Sequence, residues 1–528
     1  MEVGSNMIAL SPSRTSSGHA MLLGNPHQPW SQVVTYYEAH LKVPGVLDFY
    51  GSTFVGRPVL TTGFNRNLGW SHTVNYPDLE EIYALDVDPK SPRHYLFDGG
   101  SVPLEESQVT VEMKTREGIQ SREATFWYTP LGPVIHRTPE KVYVLRSAAY
   151  DEFRFYQQWL RLAQAENLES FQEALRIAAI PMFNICYADR EGNIYYIWNG
   201  TVPKLPHPSH ISEPVEAHTS DDVWTQLHAV EELPQLLNPS GGYVQNSNSP
   251  PYFTNLHEPL NRADFPPYFP ANFLGLRTQH GLSLVHNQRN FSLEDLVTAK
   301  FSPRMLLAER IKDDLLAVID AHQPRGEVAK AAELLADWDN TVSIESRGSV
   351  LFATWWKHYS PDGRYQGFAK PWNALHPVTT PRGIAMEPRA MQAFVEAMTE
   401  VEDRYGSWDV AWGDVHRLRQ GSLDLPVSGG SGFLGCYRVL AFRTDQDGKQ
   451  VVNGGDSWIF AVEFGEVPKA YTVVGYSQSE DPKSPHFNDQ AKLFAAGKMK
   501  PAAFSEQEID AAMVRSYTPA DDAKPSPR

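Results

Sequence analysis

Ser5 directly follows Gly4, and cutting that bond would place a serine at a new N-terminus. Such a residue unites nucleophile and base. Its hydroxyl attacks, and its free α-amine, with an ordinary pKa of about 7.7–8.0, takes the proton near neutral pH. A separate Ser-His-Asp set is then unnecessary. While Gly4 stays attached, the Ser5 nitrogen is an amide and cannot act as that base. Competing motifs fail. No GxSxG elbow occurs, since Gly475-Tyr476-Ser477-Gln478-Ser479 lacks the last glycine, which counts against a conventional esterase using Ser431 or Ser477. Neither HExxH nor a P-loop lysine is present, and the 18 histidines show no zinc-ligand spacing. Gly430-Ser431-Gly432-Phe433-Leu434-Gly435 matches GxGxxG, but a dinucleotide loop opens a helix. Here residues 437–442 read as a strand, so the segment is a glycine-rich loop.

The elements that must hold such a serine are strands. Residues 5–290 read as β-rich: Val109, Val111 and Met113 alternate with polar neighbours, residues 107–137 suggest a meander, and 186–196 read as strand, turn, strand. Residues 291–419 are mainly helical. Ser292 with Asp295 forms a capping-box pattern, and three apolar stripes follow, Leu307/Ile311/Leu315, Val328/Ala331/Leu335/Trp338 and Phe394/Met398/Val401/Tyr405. Strand patterns return over 420–528, with a hairpin turn at Asp447-Gly448 and a last helix after Ser505 capped by Glu508. Strands at both ends with helices between imply an α+β layered domain whose sheets draw on both ends of the chain.

The 528 residues carry a formal net charge of −17, which argues against nucleic acid and against anionic membrane surfaces as partners. No apolar run reaches the ~20 residues of a membrane span, and the start lacks a secretory signal's basic-then-apolar pattern. Cys186 and Cys436 either pair or stay buried as thiols. Asp521 to Arg528 read as a loose tail.

Gly4-Ser5-Asn6, Ser13-Arg14-Thr15 and Gly24-Asn25-Pro26-His27 open a series of short motifs. It continues through Gly69-Trp70-Ser71-His72-Thr73-Val74, Gly242-Tyr243-Val244-Gln245-Asn246-Ser247-Asn248-Ser249-Pro250-Pro251 and Trp412-Gly413-Asp414-Val415-His416-Arg417. Pro426-Val427-Ser428-Gly429-Gly430, Gly455-Asp456-Ser457 and Ser477-Gln478-Ser479 … Ser484-Pro485-His486-Phe487 … Asp489-Gln490 complete it. Each motif alone is weak, but in this order they are specific. The series resembles the β-chain of the penicillin acylase family of N-terminal-nucleophile (Ntn) hydrolases, nearest the acyl-homoserine-lactone and aculeacin-type acylases. The resemblance implies an αββα layered sandwich with a largely helical insert.

It also implies roles. Ser5 matches the catalytic serine, forming an acyl-enzyme that water later hydrolyses. His27 matches a histidine that orients it. Val74 matches the residue whose backbone N–H forms half of an oxyanion hole, and Asn248 the asparagine whose side-chain N–H forms the other half, with Asn246 as the competing register. Arg277 matches an arginine that holds the asparagine. Val46, Phe54, Leu60 and Trp159 are candidates for an apolar acyl pocket, and Gln28 stands where a long-chain acylase could carry an aromatic gate. No cofactor is expected; the alternative is a structural Ca²⁺ on Asp78, Glu81 and Asp264, oxygen donors of the kind that ion prefers.

The substrate expected is a small N-acylated amide, an N-acyl-homoserine lactone or lipopeptide. A penicillin- or cephalosporin-type acylase and a non-catalytic exported acyl-ligand binding protein are the alternatives. The family's pattern places a signal peptide, an α-chain and a spacer before the serine, so the resemblance implies a periplasmic or secreted heterodimer. It leads us to expect that this chain without its α-chain partner is inactive or poorly soluble.

Overall fold

The computed structural model describes residues 4–208, 213–360, 362–384 and 388–518; the tail expected at 521–528 lies outside them. Strand β1 (Gly4–Leu10) is buried along its whole length and serves two cores. Met7 and Ala9 point into one apolar cluster, Ile8 and Leu10 into another. The same alternation divides Leu22 from Met21 and Leu23 on β2 (Met21–Pro29), and Trp458, Phe460 and Val462 from Ile459 and Ala461 on the strand Trp458–Glu463. A strand with two apolar faces belongs between layers, because its side chains alternate with period two.

β1 and β2 lie in a ten-stranded sheet with the strand Tyr243–Asn246 and seven strands from the C-terminal part of the chain. A seven-stranded sheet, drawn from residues 36–237, packs against it through the first cluster, where Phe64, Trp70, Ile185 and Tyr187 meet Trp458 and Phe460. Helices α1 (Phe155–Gln164) and α2 (Leu168–Leu175) join that cluster through Trp159, Leu162, Phe171 and Leu175. On the far side, α3 (Leu276–Val285) and α4 (Leu293–Lys300) bury Leu282, Val285, Leu293 and Leu296 against the ten-stranded sheet. The result is the expected αββα layering. An eight-stranded sheet contains the expected meander, Glu105–Thr115, Gly118–Thr129 and Gly132–Arg137, and has its own cluster around Tyr83, Leu85, Val142 and Val144.

The helical segment holds α5 (Leu306–Ala321), α6 (Glu327–Asp337), α7 (Ser349–Tyr359) and α8 (Pro388–Tyr405) around a further core. The predicted stripes lie inside it, with Val328 and Tyr405 half-buried at its margin. The Ser292/Asp295 and Ser505/Glu508 capping boxes are both formed.

Three helices inside the β-rich part, α1 to α3, were not expected. Phe155, Tyr156 and Trp159 favour strands on average, but Trp159, Leu162 and Ala163 fall on one helical face and are buried together. The box opening α2 pairs Asn167 with Ser170 rather than with Glu or Gln. The strand expected from residue 437 begins at Leu440. The Tyr437 carbonyl accepts from the side chains of Asn6 (2.8 Å) and Lys300 (3.3 Å) instead of from a neighbouring strand. Cys186 and Cys436 are both buried and not joined in a disulfide.

Candidate active site

Antiparallel pairing places Ser5 opposite Pro26 and Gly4 opposite His27, so the β1–β2 register alone brings the serine and the histidine together. β1 pairs on its other edge with the strand Tyr243–Asn246, which delivers Asn248 two residues further on. Asn248 lies in the left-handed region at φ 69°, a conformation asparagine adopts more readily than most residues.

Ser5 is 3 % exposed. Its backbone N–H donates to Asn248 Oδ1 at 2.7 Å, and its hydroxyl donates to the Gly4 carbonyl, the group a cut would attack. Arg277, in the first turn of α3, donates to the Ser5 carbonyl (2.6 Å), Asn6 Oδ1 (2.7 Å) and Asn248 Oδ1 (2.8 Å). Asn248 Nδ2 donates to the Val74 carbonyl at 2.8 Å. A guanidinium has only donors, so Arg277 and the Ser5 N–H orient the Asn248 amide with its oxygen toward them and its nitrogen toward Val74. One hydrogen of that nitrogen is used by Val74; the other is left for a second acceptor. Asn248 touches Ser5, whereas Asn246 stands behind it, accepting from Asn248 N (2.7 Å) and Thr73 Oγ1 (2.6 Å).

His27 is fully buried. Its Nε2 lies 3.0 Å from Asn25 Oδ1 and 3.1 Å from Asp456 Oδ1. Both partners are acceptors, so the ring proton sits on Nε2. Nδ1 is buried without a hydrogen-bond partner and faces Gly4, 3.4 Å from where a Cβ on that residue would lie. Burial lowers the His27 pKa to about 4, the Asp456 hydrogen bond and charge opposing the fall while Arg277 and Lys300 add to it. The imidazole is therefore neutral at neutral pH, with a lone pair directed at the Gly4–Ser5 segment.

Asp456 and Lys300 extend the set. Lys300 Nζ lies 2.7 Å from Asp456 Oδ2, and both side chains are completely buried. Burial opposes ionisation of Asp456, but Lys300 and His27 hold its pKa below the usual carboxylate value. Sequence reasoning quoted Asp456 within Gly455-Asp456-Ser457 without giving it a task. It missed Lys300, which ends α4 and reads as an ordinary basic residue at a helix C-terminus.

The other candidates divide. Phe54 and Trp159 share the Arg57 guanidinium, 4.5 and 6.0 Å from their ring centres, and Leu60 is buried in the inter-sheet core. Val46 is a correction: it lies beyond the strand Tyr36–Val43 at a hairpin tip, 57 % exposed, because its neighbour Gly45 turns the chain at φ 72°. Gln28 is tied by its backbone N–H to Ser457 Oγ at 3.1 Å. Among the described residues, no three His, Cys, Asp or Glu side chains gather as a metal site, so Asp78, Glu81 and Asp264 do not form a cage. Glu81 is buried, and burial, with the Asp78 charge second, raises its pKa to about 7.

Residues 1–511 match the penicillin amidase family. A Pseudomonas fluorescens (strain Pf0-1) protein named acyl-homoserine lactone acylase PvdQ is 31 % identical over 552 residues, covering 97 % of this chain and 70 % of that protein. Aculeacin-A acylase of Actinoplanes utahensis is 28 % identical over 566 residues, covering 96 % of this chain and 69 % of its own length. The solved structure of a thermostable penicillin G acylase from Alcaligenes faecalis superposes with a TM-score of 0.69 at 19 % identity, covering 97 % of this chain and 99 % of that one, a likeness of fold.

Proposed function

This chain belongs to the penicillin amidase family and is a hydrolase of amide bonds, and from that premise we propose that it is an N-acyl amide hydrolase with Ser5 as its N-terminal nucleophile. The observation that carries the reading is the convergence of His27, Asn248 and Arg277 on the Gly4–Ser5 segment, from three separate stretches of chain.

In this reading the Ser5 hydroxyl first attacks the Gly4 carbonyl carbon. The amide nitrogen leaves as a free amine, and water hydrolyses the resulting ester. The Ser5 amine cannot serve as base for that first cut, because it is still an amide; the neutral His27 Nδ1 faces the segment where a base is required. Once liberated, the amine takes over. It draws the proton from the hydroxyl, which attacks the substrate carbonyl, and the proton passes to the departing amine. Water then releases the fatty acid. The tetrahedral oxyanion needs donors already aimed at it; the Val74 backbone N–H and the second hydrogen of Asn248 Nδ2 supply them. A second chain cut from the same precursor pairs with this one, and the product acts outside the cytoplasm. The preferred substrates are N-acyl-homoserine lactones or acylated peptides, in keeping with the names of the relatives.

Intact mass of the mature chain, wild type against Ser5→Ala, tests the nucleophile. The wild type begins at Ser5 and hydrolyses amides, whereas Ser5→Ala keeps Gly4 and does neither. Hydrolysis by a chain that still carries Gly4 would overturn the assignment. A panel of N-acyl-homoserine lactones of graded length, run beside benzylpenicillin and with the partner chain added or withheld, tests substrate and partner.

A further inference from the structure

Lys300 is the most deeply placed cation near the site, and neither attack nor oxyanion binding gives it a task. A buried ammonium is costly unless paired, and this one spends its charge on Asp456 Oδ2 at 2.7 Å, with a longer bond of 3.3 Å to the Tyr437 carbonyl. The other carboxylate oxygen, Oδ1, faces His27 Nε2 at 3.1 Å and accepts from the Val439 N–H at 3.3 Å. Asp456 therefore accepts on both sides, and the two oxygens have separate clients. One client, Lys300, can only donate. The other, the imidazole, can present a proton or a lone pair.

We propose that Lys300 is a positioning residue: by claiming Asp456 Oδ2 and keeping the carboxylate ionised, it fixes the His27 proton on Nε2 and leaves Nδ1 as the acceptor facing the Gly4–Ser5 segment. The functional consequence rests on the reading of Ser5 as nucleophile; the tautomer itself does not.

Asp456→Asn breaks the symmetry of the carboxylate. The amide has one oxygen and one NH₂. Lys300 is charged and has no lone pair while protonated, and charge-assisted bonds are about twice as strong as neutral ones, so Lys300 takes the oxygen. The NH₂ then faces His27 Nε2, whose one remaining acceptor is Asn25 Oδ1 at 3.0 Å, and the ring proton shifts toward Nδ1, where it points a donor at Ser5. Replacing Lys300 by methionine in that background removes the demand on the oxygen. The amide turns over, its oxygen again meets the Nε2–H and the Val439 N–H, and the original tautomer returns. The single variant Lys300→Met is less informative, because it leaves the Asp456 carboxylate buried without its counter-charge.

The test is ring-¹⁵N NMR of histidine-labelled full-length protein, with the His27 signals identified by their absence in His27→Gln. In the wild type and in Lys300→Arg the proton is on Nε2; in Asp456→Asn it is on Nδ1; in Asp456→Asn/Lys300→Met it is back on Nε2. Cleavage before Ser5, followed by intact mass over time, slows about 100-fold or more in Asp456→Asn, the scale of a lost general base. In the double variant it recovers to within about 10-fold of the wild type. A wild-type proton on Nδ1, an unchanged tautomer in Asp456→Asn, or a double variant worse than the single would overturn the proposal. Should a variant fail to fold, the wild-type spectrum still decides. Hydrolysis that persists in Ser5→Ala would sink the nucleophile reading while leaving the spectra to judge Lys300.

Discussion

Gly4 has no side chain for a steric reason. A Cβ there would lie 2.8 Å from Asn248 Oδ1 and 2.9 Å from Arg277 Nη2, closer than real Cβ contacts, and both atoms belong to the constellation that holds Ser5. Gly4→Ala is expected to displace Asn248 or Arg277 and to slow cleavage before Ser5 by at least about 10-fold, since small misplacements of reacting groups lose orders of magnitude in rate. The fraction of chain cut, followed by mass over time, checks this. Arg277→Met removes three hydrogen bonds at once. It frees the Asn248 amide to rotate, and kcat should fall about 10²–10³-fold, as for the loss of an oxyanion donor. At this scale much was legible. Ser5, His27 and Asn248 were singled out within the short motifs that carry the family resemblance, and Arg277 by its match to a family arginine beyond them. Lys300 was not, because nothing along its helix records that residue 456 waits across the fold.

At the scale of elements, Glu81 sits in the strand Glu80–Asp88 with its carboxyl buried and its pKa raised to about 7. An acid whose folded pKa exceeds its unfolded value, about 4.3, stabilises the fold while it keeps its proton. That contribution is present below about pH 4.3 and is lost as the pH rises toward about 7. Glu81→Gln should therefore raise Tm at pH 8 and change it little at pH 4; thermal melts at the two pH values check it. The same scale explains two sequence failures. The aromatic run opening α1 was read by its average preference, yet the seven-stranded sheet offered a surface that selected its helical face. Val46 was placed in the acyl pocket by position and chemistry, but hairpin geometry carries it to an exposed tip.

For the whole molecule, β1 and β2 share one sheet with strands beyond residue 416, so neither end of the chain can complete its sheet alone. A fragment of residues 1–290 should show no cooperative thermal transition, whereas mixing it with 291–528 should restore one; calorimetry of each fragment and of the mixture checks this. Three buried histidines and the half-buried His72 give the fold a shared response to acid. His27 and His280 titrate at about 4, and His72 and His416 at about 3, burial being the first cause in each. An unfolded histidine takes its proton near pH 6.5, so each favours unfolding progressively as the pH falls from about 6.5 toward those lowered values. Denaturant midpoints measured from pH 7 to pH 5 should decline steadily, and His416→Phe should flatten the slope by about one proton's worth.

The sequence by itself determined the layered class, the helical segment between two strand-rich parts, and the family resemblance that singles out Ser5, His27, Asn248 and Arg277. Alternation, capping and glycine placement are local properties, and each is written within a few residues. Only the tertiary structure decided which asparagine touches Ser5, which ring nitrogen of His27 is left open, and that Asp456 and Lys300 stand behind it. Those facts depend on distances between segments up to hundreds of residues apart, and on burial, which turns an ordinary lysine and aspartate into a pair that neither can leave.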